Sequence, residues 1–240
     1  MIGQQYLAPG RFVDSDSPRV IEFARIASAG AKDATDAALQ LYSIVRDEIL
    51  YDAYVDWTDP NVFRASAVLA EKRGFCVGKA CLLAACARVL GVPSRLGFAD
   101  VRNHMTSPRL YERMKTDVFR WHSYCELHLG GKWVKATPAF NASLCERLGV
   151  KPLIFDGHTD SLFQPFDSTG RKHMEYVVDR GTFADVPFEA ILADFRANYA
   201  ALANAERLAG DFQSEAVAAT PQAAASKWRE RRDSNPRPPA

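Results

Sequence analysis

One cysteine in this chain carries the signs of a nucleophile. Cys76 sits in Arg73-Gly74-Phe75-Cys76-Val77-Gly78-Lys79, directly ahead of a run to Leu90 made mostly of Ala, Leu, Cys and Val. A run so apolar on every side predicts a buried helix, not a surface one. Gly91 and Pro93 end it. Cys76 then falls at the N-terminal end of a central helix, where free backbone N–H groups and the helix dipole favour the thiolate. Gly74 reads as a residue that permits a tight or left-handed backbone just before it. A thiolate held this way needs a base, and His122 is the candidate. It opens the strand-like run His122-Ser123-Tyr124-Cys125-Glu126-Leu127-His128-Leu129, which Gly130-Gly131 joins to Lys132-Trp133-Val134 as a hairpin. Side chains alternate along a strand, so His122, Tyr124, Glu126 and His128 share one face, and Trp121, Ser123, Cys125, Leu127 and Leu129 the other. A cysteine nucleophile with a histidine base performs acyl chemistry through a thioester.

These residues together resemble a known family. Gly74-x-Cys76 opening a buried helix, Gly91-Val92-Pro93-Ser94-Arg95, His122-x-Tyr124-x-Glu126-Leu127 and Gly131-Lys132-Trp133-Val134 are similar, in order and spacing, to the transglutaminase-like superfamily of papain-like cysteine enzymes. The resemblance covers roughly residues 35 to 145. It implies an α+β fold in which a central buried helix carrying the cysteine packs on an antiparallel sheet carrying the histidine. It also implies Cys76 as nucleophile and His122 as general base, acting on a peptide or amide substrate.

The chain departs from the family at one point. The family places an aspartate after the tryptophan, as Trp-Val-x-x-Asp-Pro-Thr. Here the run is Trp133-Val134-Lys135-Ala136-Thr137-Pro138-Ala139-Phe140-Asn141, with Thr137 in the aspartate's place. A neutral hydroxyl orients an imidazole by a hydrogen bond but stabilises an imidazolium less than a carboxylate does. Asn141 is the second candidate, since papain-like enzymes use an asparagine as orienter. Two further readings stay open. Arg73-Gly74-Phe75-Cys76 has a partial likeness to the cysteine motif of arylamine-type acyl transfer, and a non-catalytic binding domain that kept the fold would explain the missing aspartate.

The elements that must position these groups follow from local patterning. Arg19 to Ser28 reads as a short amphipathic helix. Asp33 to Asp36 offers N-caps for a second, through about Leu50, with Ala37, Leu41, Ile44, Val45 and Ile49 at helical spacing. Ser66 to Lys72 is a short helical piece leading to the cysteine. Arg95 to Val101 reads as a strand, and Arg102 to Asp117 as a polar insertion with one helical turn, long enough to face a substrate. Phe119 to Leu129 and Lys132 to Thr137 pair. Ala142 to Leu148 is a helix stopped by Gly149, Pro152 to Phe155 and His173 to Val178 read as strands, and Pro187 to Ala209 as a long helix. The acidic turns between those strands, at Asp156, Asp160 and Asp167, lack the alternating spacing of a calcium loop.

Composition bounds the rest. The chain has 240 residues, 48% hydrophobic and 25% charged, with net charge +1. That suits one domain, residues 1–213, with a sizeable core. The balance calls for neither nucleic acid nor membrane as a partner. Five cysteines, an odd number, and no signal-like start favour reduced thiols in the cytoplasm. Cys81 and Cys86 lie inside the apolar helix and read as core. No cofactor or metal is expected, because the histidines are not spaced as zinc ligands. His104 lies in the polar insertion, where it can face a substrate; His128 reads as surface or rim. His158 and His173 have no evident partner. Trp57 and Trp121 read as packing. From Ser214 to Ala240 apolar periodicity ends and disorder is expected. Within this tail Arg232 to Ala240 resembles peptides read from the antisense strand of a transfer-RNA gene, so the expectation is an element without selected function, with a basic nucleic-acid-binding tail as the competing reading.

Overall fold

The structure is a computed structural model and describes residues 2–104, 106, 108–163, 173–199 and 210–215. Helices α1 (Pro18–Ala27), α2 (Ala34–Glu48) and α3 (Ala65–Glu71) gather around α4 (Cys76–Val89). Every residue of α4 from Val77 to Arg88 is buried. That is the expected consequence of its composition, since a helix with no polar face has nothing to offer water. On its other side α4 meets a four-stranded sheet of β3 (Ser94–Asn103), β4 (Val118–Leu129), β5 (Lys132–Ala136) and β6 (Met174–Phe183). The strand order is β5-β4-β3-β6, antiparallel at every pairing. The fold is therefore the α+β arrangement expected, with the cysteine helix packed on the histidine sheet.

Local chemistry explains several boundaries. The Asp33 carboxylate accepts the Asp36 N–H at 2.8 Å and starts α2. Gly130 and Gly131 both have positive φ, 56° and 83°, the geometry of a tight two-residue hairpin turn between β4 and β5. Gly149, at φ 68°, closes α6 (Ala142–Leu148).

The loop before Cys76 is held by a short parallel pair, β1 (Leu50–Tyr51) against β2 (Arg73–Gly74). Gly74 is required there for room and not for a left-handed backbone: it has no positive φ, and a Cβ on it would lie 2.9 Å from Val68 Cγ1. Gly78 is tighter still, since a Cβ there would meet the Val62 carbonyl oxygen at 2.5 Å. From the same helix Lys79 reaches back to α2. Its buried Nζ donates to Arg46 O at 2.8 Å and to Ile49 O, satisfying carbonyls at the C-terminal end of α2. Burial pushes this ammonium well down from its ordinary pKa.

Some elements differ from the sequence expectation. Pro152 to Phe155 is not a strand. Its Leu153 carbonyl is satisfied by Tyr42 Oη at 3.1 Å and Arg46 Nη1 at 2.7 Å, in place of a sheet ladder. The polar insertion contains a helix, α5 (Pro108–Met114). The long C-terminal helix is described as α7 (Phe188–Asn198), with Tyr199 extended after it. The rest of that expected helix lies outside the described residues, as do Asp167 and residues 216–240 of the expected tail. Ser214 and Glu215, read from composition as tail, belong to α8 (Phe212–Glu215). Among the described residues no helix is long and apolar enough to cross a membrane.

Candidate active site

Cys76 is the first residue of α4, just after Phe75 in extended conformation. Of the five cysteines, all unpaired, it alone is partly exposed; Cys81, Cys86, Cys125 and Cys145 are buried. Three backbone N–H groups, from Ser123, Val77 and Cys76 itself, favour its thiolate. Burial outweighs them and pushes the thiol up to about 11. The low thiol pKa expected from the helix start alone is therefore not the resting condition.

The Ser123 amide places Cys76 against β4 at the residue next to His122. His122 is 5% exposed. Its ring lies 5.3 Å from Phe163 and 6.3 Å from Tyr176, centroid to centroid. Burial holds the imidazole down at about 4. The two groups thus rest as neutral thiol and neutral imidazole. A wall of rings runs on from the histidine: Phe163 to Phe140 at 5.0 Å, Phe140 to Tyr51 at 4.8 Å, Tyr51 to Phe212 at 5.4 Å. A Cys76 thiolate would disfavour the ionisation of Tyr51, Tyr176 and Tyr199 alike through its charge.

An irregularity in the sheet lies directly before His122. Ala99 pairs with His122 and Val101 with Phe119, so Asp100 alone faces Arg120 and Trp121. At this bulge Trp121 takes φ 57°, a left-handed backbone that costs a non-glycine residue on the order of 1 to 3 kcal/mol. Buried Asp100 accepts the Trp121 N–H at 3.1 Å. Arg180 clamps Asp100 with two bonds, 2.9 and 2.7 Å, and also reaches Asp194 at 3.3 Å. Asp194 in turn accepts the Trp121 indole N–H at 3.1 Å. Nothing local in the sequence marks this network; its members come from β3, β4, β6 and α7.

The two candidate orienters are placed very differently. Thr137 is 1% exposed, and its Oγ1 has no hydrogen-bond partner. His122 Nε2 and Tyr176 Oη are likewise buried without a partner, although the Thr137 hydroxyl and the Phe163 N–H face Tyr176 closely enough to ease its ionisation. Asn141 is committed elsewhere. Its Oδ1 accepts from Tyr51 N at 3.0 Å and Gln213 Nε2 at 3.1 Å, and its Nδ2 donates to Ser143 Oγ at 2.8 Å and Gln213 Oε1 at 3.2 Å. Two donors and two accepting lone pairs exhaust a primary amide, so none remains for His122.

Residues 21–138 match the family model of the transglutaminase-like superfamily. This stretch of the chain belongs to that superfamily. None of the curated proteins matches the chain. Among solved structures it is similar to "a Putative Cysteine Protease from Cytophaga hutchinsonii", with a TM-score of 0.50 and 17% identity over 80% of this chain and 50% of that one. The likeness is one of fold, and the chain spans half the length of that protein. Thr137 directly follows β5, and its carbonyl accepts from Tyr42 Oη at 3.1 Å.

Other sequence candidates lie apart from this centre. Glu126 is buried in an ion pair with Arg95 at 2.6 Å, on the sheet face where Arg95 also covers Trp133. His128 stacks edge-on to Trp133 at 5.3 Å. His104 sits 3.4 Å from Glu175. Asp156 caps its own turn by accepting from His158 N and Thr159 N. Asp160 accepts the Lys135 N–H at 2.9 Å. His173 packs on Phe163 at 5.7 Å. Trp57 packs on Phe195 and Tyr199 beneath Arg113. Among the described residues no group of three or more His, Cys, Asp or Glu could hold a metal ion.

Proposed function

We propose that the protein performs cysteine-nucleophile acyl chemistry on amide bonds, as a peptidase, amidase or transamidase working through a thioester. The observation that carries this reading is the placement of Cys76, the one partly exposed cysteine, at the start of the buried helix α4 and against the residue next to His122. Membership of the transglutaminase-like superfamily supports it.

The chemistry starts from a neutral pair. The Cys76 thiol gives its proton to His122 as sulfur attacks the carbonyl carbon. The backbone N–H groups at the start of α4 stabilise the negative charge that develops. His122 returns the proton to the leaving amine as the C–N bond breaks. Water or an amine then takes the acyl group from sulfur. With Thr137 at the position where the superfamily carries a carboxylate, the imidazolium gains little electrostatic support, so charge separation is left to the moment when substrate fills the site. The substrate class is a peptide or carboxamide. Five unpaired cysteines support a reducing, cytoplasmic setting.

Incubation of the purified protein with a mixture of peptide amides, with and without a primary amine, tests the reading by mass spectrometry. Products and a transient acyl adduct on Cys76 are expected, and both vanish in Cys76→Ala. Amide turnover that persists in Cys76→Ala, or no adduct on Cys76, sinks it. Incorporation of the added amine marks transamidation, and a free acid marks hydrolysis.

A further inference from the structure

The segment that ends in α8 is held to the domain in the way a docked peptide is. Four helical residues cannot keep their own shape in water, so the order of α8 comes from what it touches. At its centre Gln213 is 8% exposed. Its Nε2 donates to Tyr51 O at 2.7 Å and to Asn141 Oδ1 at 3.1 Å, and its Oε1 accepts from Asn141 Nδ2 at 3.2 Å. Phe212 sits edge-on to Tyr51 and Tyr54, at 5.4 and 5.2 Å. A polar rim surrounds this pair. Arg73 meets Asp211 at 3.1 Å, Arg109 meets Glu215 at 2.8 Å, and Arg147 Nη1 donates to Gln213 O at 3.1 Å. An aromatic side chain and a buried amide inside a ring of charges is how a peptide interface is built.

This seat adjoins the segment that leads into Cys76. Leu50 N donates to Lys72 O and Asp52 N to Gly74 O, both at 3.0 Å, so the peptide groups of Tyr51 between them face away from β2. On that outer edge Asn141 Oδ1 accepts the Tyr51 N–H at 3.0 Å, and Gln213 takes the Tyr51 carbonyl. Phe212 also extends the wall of rings that runs through Tyr51, Phe140 and Phe163 to His122.

We propose that α8 is an autoinhibitory plug: Asp211 to Glu215 fill the groove in which a peptide substrate binds, and leave it before the substrate enters. The substrate class follows from the seat. Tyr51 offers a ring and a carbonyl, Asn141 a carboxamide, and Arg73, Arg109 and Arg147 positive charge. A peptide with an aromatic and a carboxamide side chain between acidic residues suits it. Each exposed ion pair contributes little, so the plug is displaceable. Its covalent tether keeps it at a high effective concentration, so it still rests in place. The inference rests on the reading of Cys76 as a nucleophile acting on peptides.

The test labels Cys76 in the full chain with iodoacetamide and with a bulky maleimide dye, under conditions where circular dichroism shows each variant folded. In the parent the bulky reagent should be the slower one. Gln213→Ala should speed it about tenfold, and iodoacetamide by less than about twofold. The double variant Asp211→Ala/Glu215→Ala alters only the rim and should speed the bulky reagent about threefold. A synthetic peptide of residues 210–215, added in excess to Gln213→Ala, should slow it again. A bulky-reagent rate unchanged in both variants overturns the plug and leaves α8 a structural tie. Iodoacetamide labelling of Cys76 that ignores His122→Ala would instead remove the nucleophile reading, while the change in the bulky-reagent rate would still decide the plug.

Discussion

Burial acts on the two ends of the Cys76–His122 pair in opposite chemical directions, raising the thiol to about 11 and lowering the imidazole to about 4. Both shifts disfavour charge, and both have a consequence for stability. In the unfolded chain His122 titrates near its ordinary ~6.5. Between that pH and about 4 the unfolded chain binds a proton that the fold refuses, so stability falls as the pH drops through this window and levels off below it. The full effect is on the order of 3 kcal/mol. Urea unfolding at pH 7, 5.5 and 4 should therefore show a steeper acid loss for the parent than for His122→Gln. Equal slopes would mean that His122 is protonated in the fold. Cys76 and His122 were both legible in the sequence, because a helix start and a hairpin are local patterns. Tyr176 was not: its place beside His122 arises because β3 separates β4 from β6, a relation that no spacing along the chain reveals.

The bulge in β4 lies directly before the histidine. It breaks at Trp121 the strict alternation expected along this strand, while from His122 to Leu127 the pairing with β3 is regular. The left-handed Trp121 has no sequence signal, since glycine or asparagine would ordinarily take such a position. It is held by long-range bonds from Asp100, Arg180 and Asp194. Arg180→Met removes the clamp and leaves the buried Asp100 carboxylate with Arg120 at 3.7 Å. The expected loss is about 3 kcal/mol, read from the urea midpoint, together with slower Cys76 alkylation as the strand beside His122 loosens. A variant as stable as the parent would show that the bulge is fixed by packing of the Trp121 ring alone. The same contrast separates Gly74 from Gly130 and Gly131. The hairpin glycines are where local rules put them, whereas Gly74 and Gly78 are glycines because α3 and the Pro60–Phe63 turn pack against α4.

At the scale of the whole molecule, α8 ties the C-terminal end of the described chain to the segment that leads into Cys76. Asp211 pairs with Arg73 at 3.1 Å, Gln213 exchanges two hydrogen bonds with Asn141, and Glu215 bonds Tyr54 at 2.8 Å and Arg109 at 2.8 Å. Phe212 packs between Tyr51 and Tyr54. Composition alone suggested that order ends near Ser214, because a four-residue helix is too short to show periodicity. Its contacts are the evidence that it belongs to the domain. A chain ending at Ala209 should lose several degrees in Tm, since Asn141 and the Tyr51 carbonyl lose their Gln213 partners. A chain ending at Ser226 should match the parent. Equal Tm for all three would show that α8 contributes no net stability.

Whether Cys76 is a nucleophile served by His122, in a site that rests uncharged, is decided by alkylation with iodoacetamide across pH 5 to 11, with the modified cysteine located by mass spectrometry, in the parent and in His122→Ala. Modification is expected at Cys76 alone among the five cysteines. The rate should climb above the ordinary thiol pKa of about 8.5, and the pH 7 rate should fall when His122 is removed. Cys76 no more reactive than Cys81, or a pH profile indifferent to His122→Ala, would contradict it.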